Sequence, residues 1–135
     1  MAKEENKIIE KTSEIKATVN KVWDVLTNAK FAKILGNEFD KNAYLESEWK
    51  LGSLVHFKYY PDKIVATGKI TEYKLHSHIN VDYNEIGYSD NYSLFDKNGK
   101  CVLKIRTGPY AADYEAQLEV WDNWLLKVKK LSEGL

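Results

Sequence analysis

A single cysteine, two prolines and no excess of either charge narrow what this chain of 135 residues can be. Cys101 has no second cysteine to pair with, so no internal disulfide can form. It lies in the apolar run Cys101-Val102-Leu103-Lys104-Ile105 with no base in its vicinity, and reads as an ordinary strand residue rather than a reactive thiol. Twenty Lys and Arg balance twenty Asp and Glu. That neutrality argues against a nucleic-acid module, which concentrates basic residues on one face. No stretch approaches the roughly 20 apolar residues that span a bilayer. The segment Met1–Lys7 is charged with no apolar run behind it, unlike a secretory signal, and with the unpaired cysteine this points to the cytoplasm. No repeat, low-complexity tract or Pro/Gly/Ser linker divides the chain, so residues 1–135 read as one domain. A domain of this length buries about two-thirds of its unfolded surface and requires no metal or disulfide staple. Pro61 and Pro109 fall where strands are expected to have ended.

What is present is a change of period along the chain. A strand is expected over Lys7–Ala17, with Ile9, Ser13 and Ile15 on one face. Thr18 is a suitable N-cap, and Val19, Val22, Trp23, Val25 and Leu26 then follow at helical spacing. A second short helix over Ala29–Leu35 carries Phe31, Ile34 and Leu35, and Gly36-Asn37 is expected to end it by adopting positive φ. From Ala43 the alternation becomes two-residue. Leu45, Ser47 and Trp49 oppose Tyr44, Glu46 and Glu48; Val55, Phe57 and Tyr59 oppose His56 and Lys58. Further strands are expected at Ile64–Leu75, Ile79–Tyr83, Tyr92–Asp96 and Cys101–Thr107, with Lys97-Asn98-Gly99-Lys100 as a hairpin loop. Short turns between strands require antiparallel pairing. The last element, about Ala112–Leu131, contains neither glycine nor proline. Its stripe Tyr114, Leu118, Trp121, Leu125 and Val128 recurs at helical steps, bordered by Gln117 and Trp124. Burying one stripe does not offset the ordering of so long a backbone, so the helix needs a concave apolar surface, and the sheet is the candidate.

The order strand, two short helices, six strands, long helix resembles the helix-grip fold of the START-like (SRPBCC) superfamily, which includes the birch-pollen-allergen-like proteins. Within it the chain resembles the family of the C-terminal domain of the activator of heat shock protein 90 ATPase. Three segments carry the likeness. Ala17-Thr18-Val19-Asn20-Lys21-Val22-Trp23-Asp24-Val25-Leu26-Thr27 is similar to that family's first helix. Ser47–Phe57 contains its W-x-x-G-S passage as Trp49-Lys50-Leu51-Gly52-Ser53, and Thr67–Tyr73 matches its Gly-Lys strand. Trp121, Leu125 and Val128 stand where its terminal helix carries Trp and Leu. The resemblance implies an α+β fold: a curved antiparallel sheet of six to seven strands around a long C-terminal helix. It implies either a cavity holding an apolar small molecule or a surface that contacts a chaperone. A fold this versatile does not choose between them. Chaperone activators of eukaryotes carry a further N-terminal domain, whereas only about six residues precede the first strand here, which favours the container reading. The protein is expected to be a monomer or weak homodimer with no nucleic-acid partner and no cofactor.

Strand parity turns Leu45, Trp49, Val55, Phe57, Tyr59, Ile79, Val81, Tyr83, Tyr92 and Leu94 inward. The expected cavity lining is Trp49, Phe57, Tyr59, Tyr83, Tyr92, Leu118, Trp121, Leu125 and Phe31, with tyrosine hydroxyls and Ser47 as polar handles; the alternative is a solid core of the same residues. Trp23 and Phe31 would sit at the mouth, Trp23 also anchoring its helix beneath the sheet. His76 and His78 share a strand face at i, i+2 and, like His56, should point to solvent without a third ligand, so no metal site is expected. No nucleophile-elbow, zinc-protease or phosphate-loop motif occurs, and no catalytic residue is assigned. Glu72 and Arg106 either form a buried pair or reach water from twisted strand ends, and the second is favoured.

Overall fold

The computed structural model describes residues 7–83, 87–110 and 114–134. Strand β1 (Lys7–Ile15) leads into helices α1 (Val19–Thr27) and α2 (Ala29–Gly36). Strands β2 (Ala43–Ser47), β3 (Leu54–Tyr59), β4 (Lys63–Lys74), β5 (His78–Tyr83), β6 (Tyr88–Lys97) and β7 (Lys100–Tyr110) follow, then helix α3 (Tyr114–Ser132). All neighbours pair antiparallel in one seven-stranded sheet of order β1-β7-β6-β5-β4-β3-β2. Short loops build the run β2 to β7, and the α1–α2 excursion lets β1 join the far edge beside β7. The sheet curls around α3 in the helix-grip arrangement.

Local chemistry fixes the helix ends. The Thr18 side chain accepts a hydrogen bond from the Lys21 amide at 3.2 Å and caps α1. Asn28 accepts from the Lys30 amide at 3.0 Å and starts α2 directly afterwards, so the two helices meet without a linker. Trp23 packs edge-on against Tyr73 and His76, with centroid separations of 5.7 and 5.8 Å, which pins α1 to the β4–β5 turn. The α3 stripe behaves as its spacing implies: Trp121, Trp124, Leu125 and Val128 are buried, and Asp122, Asn123 and Leu126 are exposed. The expected helix start at Ala112 lies outside the described residues. Opposite α3, the buried side chains Ile79, Val81, Tyr92, Leu94, Cys101, Leu103 and Ile105 complete the core.

Five local expectations need correction. Asn37 is helical at φ −61°, and the positive φ of the connection falls on Asn42 (φ 68°) instead. Gly36 is required for a different reason: a Cβ there would collide with the backbone of Ala43 and Tyr44, because α2 ends pressed against β2. Pro109 lies within β7, not beyond it. The register runs from Lys7↔Tyr110 to Ile9↔Thr107, so β7 carries an extra residue at Gly108-Pro109, where a missing N–H costs the ladder nothing. Strand β6 begins at Tyr88, four residues before the expected Tyr92. Lys58, expected outward, is buried beside its cross-strand partner Tyr44, with its ammonium 2.9 Å from Glu46 and 2.5 Å from Asp62. His76 sits in a turn at φ 63° and does not share a strand face with His78.

Hollowing the interface of α3 and sheet should be severe. Trp121→Ala is expected to cost about 3–5 kcal/mol in denaturant unfolding, the range for large core truncations; a loss below about 1 kcal/mol would place the helix in a different register.

Candidate binding cavities

Large side chains facing a strongly curved sheet do not fill it evenly, and among the described residues two hollows lie against its aromatic face. The first, about 300 Å³, lies between α2, β2 and the inner sheet. Its walls are small where the helix faces it, at Ala29, Ala32 and Gly36, and large opposite, at Trp49, Tyr92 and Trp124. Trp49 is not a strand residue. It follows β2 in the left-handed region at φ 54°, with its amide donating to the Ser47 hydroxyl at 3.0 Å. A bulky residue in that conformation is strained, and the strain turns the indole to the cavity wall rather than along the strand. Ser47, expected as a polar handle, also lines this hollow.

The second hollow, about 290 Å³, lies over β3 to β6. Phe57, Ala66, Tyr83, Tyr88 and Asp90 line it. Ala66 faces Phe57 across the β3–β4 pair and leaves the space. Gly68, next along that face, has its own space taken by Val81 and the Tyr83 ring, which a Cβ would approach to 2.8–2.9 Å. Phe39 and Leu45 border both hollows. Phe39 comes from the α2–β2 connection and is held edge-on to Trp121 at 4.9 Å, so one ring separates the two spaces.

The expected lining therefore divides. Trp49 and Tyr92 border the first hollow, Phe57 and Tyr83 the second. Trp121 and Leu125 are buried in the packed core, and Leu118 is half-buried against it. Tyr59 reaches toward the α2–β2 connection, where its hydroxyl donates to Asp40 at 2.6 Å. Phe31 is half-buried on α2 with the Lys30 ammonium 5.0 Å from its ring centre, and like Tyr59 it borders neither hollow. Glu72 and Arg106 do not meet: Glu72 accepts from His78 at 2.6 Å and Arg106 donates to Glu10 at 3.0 Å, both near solvent. Cys101 is buried, and burial pushes its thiol up to about 11, well away from reactivity.

Asp90 is the residue that sequence reasoning missed. It is 6% exposed and accepts from the Thr107 hydroxyl at 2.5 Å, whereas Tyr92 OH lies 3.4 Å from its other oxygen. Thr107 is in turn 3.0 Å from Tyr88 OH and 2.9 Å from Tyr110 OH, these two phenols are 2.9 Å apart, and Trp121 Nε1 donates to Tyr110 at 3.0 Å. An indole N–H can only donate and the Thr107 proton is taken by the carboxylate, so the hydrogen bonds run from Trp121 through the phenols to Asp90. Among the described residues no Lys, Arg or His pairs with it. Burial therefore holds the carboxyl up at about 6 despite hydrogen bonding from Thr107, Tyr88 and Tyr92. Burial, with the carboxylate nearby, also raises the phenols of Tyr83, Tyr88 and Tyr92. The signal was present in sequence: Asp90 shares parity with Tyr92 and Leu94, but it falls outside a strand begun at Tyr92.

A carboxyl whose folded pKa exceeds its unfolded value binds its proton more tightly in the folded protein. Its contribution is fully present below about pH 4 and is lost as pH rises through about 6. Relative to Asp90→Asn, the wild-type protein should lose up to about 3 kcal/mol of stability across that window in urea titrations. A difference independent of pH would show that the carboxyl titrates normally.

Comparison with protein-family models gives no match, and comparison with curated proteins gives none either. Solved structures do match. A conserved protein of unknown function from Enterococcus faecalis superposes with TM-score 0.74 at 16% identity, over 94% of this chain and 71% of that one. The Aha1 dimer from Colwellia psychrerythraea gives 0.72 at 17% identity, over 95% and 97% of the two chains. An HSP90 activator from Plasmodium falciparum gives 0.70 at 17%, over 92% and 94%. At these identities the likeness concerns backbone architecture, and the chain has the helix-grip fold of the Aha1-like proteins.

Proposed function

We propose that this protein binds an apolar small molecule or lipid-like ligand between its sheet and helices, as a non-catalytic or weakly catalytic member of the START-like group. The observation that supports this reading is the pair of adjoining hollows, about 300 and 290 Å³ and both partly open to solvent, which Phe39 and Leu45 border in common. Voids of this size forfeit packing contacts, which a chain selected for stability alone would regain by enlarging Ala32 or Ala66. The walls of the second are mainly aromatic and aliphatic, and the first adds polar groups at Thr27, Asn28, Lys33, Glu46 and Ser47 to its aromatic wall, a mixture that small-molecule sites use to orient a ligand. The ligand this suits is an elongated, largely apolar molecule with one or two hydrogen-bonding groups. Entry would proceed past α2 and the connection bearing Phe39, which are short and border the first hollow.

A hydrophobic fluorophore should bind at about micromolar concentration and quench tryptophan emission, since Trp49 and Trp124 line the first hollow. Ala32→Trp, which fills that hollow, is expected to weaken binding at least about tenfold while changing stability little. Unaltered binding by this variant would remove the container reading.

A second reading, docking to a chaperone, draws on the likeness to an HSP90 activator and to Aha1. The dimeric Colwellia protein is compatible with weak self-association of this chain. On the container reading, micromolar protein leaves the ATPase rate of a cognate heat shock protein 90 unchanged; stimulation of several-fold in a coupled assay would favour docking instead.

A further inference from the structure

Asp90 is an acid placed where acids are costly. It lies on the concave face of β6, opposite Val81 on one side and Thr107 on the other, at the wall of the second hollow. An ionised carboxylate offers about four acceptor positions. One oxygen has a short bond from Thr107, and the other has only the Tyr92 hydroxyl at 3.4 Å, beyond good hydrogen-bond geometry. No cation among the described residues compensates it. The hydroxyl chain behind it makes the carboxyl an acceptor, and its second oxygen is met by the long bond from Tyr92. A purely structural role would be met by an apolar residue at this position, because burying an incompletely paired acid is unfavourable.

We propose that the second hollow is the head-group end of the ligand chamber. There Asp90 selects ligands that terminate in a hydrogen-bond donor, a hydroxyl or an amine, over those that end in a carboxylate. This rests on the container reading and refines it. The donor supplies a short partner for the Asp90 oxygen that Tyr92 reaches at 3.4 Å. The apolar body of the ligand lies along Phe57, Ala66 and Tyr83 and extends toward the first hollow past Phe39. A carboxylate terminus would face Asp90 with like charge at low dielectric, with no cation among the described residues lining the hollow to neutralise it.

The test is displacement of the bound fluorophore by decanol, decylamine and decanoate at pH about 7.5, matched in chain length so that only the head group differs. Decanol and decylamine should displace it at least about tenfold more effectively than decanoate, the discrimination expected of one charge-assisted hydrogen bond. Asp90→Asn should abolish the preference for the amine and improve decanoate, with native folding confirmed by its unfolding transition. Should that variant misfold, Ala66→Phe, which obstructs the hollow without altering Asp90, must weaken all three compounds. Equal displacement by all three, or a preference for decanoate, overturns the role of Asp90 and leaves the container reading standing. If the fluorophore binds nowhere and none of the three binds by calorimetry, the container reading itself fails.

Discussion

The indole of Trp121 meets three separate parts of the chain at once. Its ring receives Phe39 from the α2–β2 connection, it packs against Trp124 one turn along α3 at 5.2 Å, and its Nε1 donates to Tyr110 at the end of β7. Leucine and valine contacts tolerate sliding whereas a hydrogen-bonded indole does not, so Trp121 fixes the depth of α3 from within, while Asp122 to Lys11 and Lys129 to the Glu14 carbonyl hold it at the surface. Through Tyr110 the same contact orders the hydroxyl chain that ends at Asp90, and through Phe39 it positions the ring between the two hollows. Packing of the helix and chemistry of the interior are therefore linked by one side chain.

The hollows follow from a geometric mismatch. A curled sheet gripping a straight helix leaves most room where the two diverge, toward β2–β4. This chain places Ala66 there and covers the opening with α2, whose inner residues are also small. Closure depends on Gly36, which lets the end of α2 approach the backbone of β2 more closely than any side chain permits. Strained Trp49 borders the first hollow just beyond the end of β2, a placement more typical of sites than of scaffolds.

The polar interior is arranged at different depths. Lys58 is neutralised by Glu46 and Asp62 close to solvent and forms a self-contained edge clamp. Asp90, by contrast, is buried with hydroxyl donors only. Phenols can donate to it without introducing charge, and their own ionisation is suppressed by burial beside it.

Period and capping were enough to specify the elements. Thr18 and the apolar spacing of α1, the two-residue alternation through β3 and β5, the Asn98-Gly99 hairpin and the α3 stripe are local patterns, and local backbone sterics read them directly. Parity also placed Phe57, Tyr83 and Tyr92 on the concave face, and contained Asp90 for any reading that began β6 early enough. Other features depended on distant contacts. Trp49 leaves the strand pattern because its φ is positive, Lys58 is covered by Tyr44 and paired with Glu46 and Asp62, and Pro109 is accommodated by a bulge against β1. Whether inward residues meet or leave space is likewise invisible in a linear pattern. It depends on how closely Gly36 lets α2 approach β2 and on where Trp121 fixes α3, distances that only the assembled structure sets.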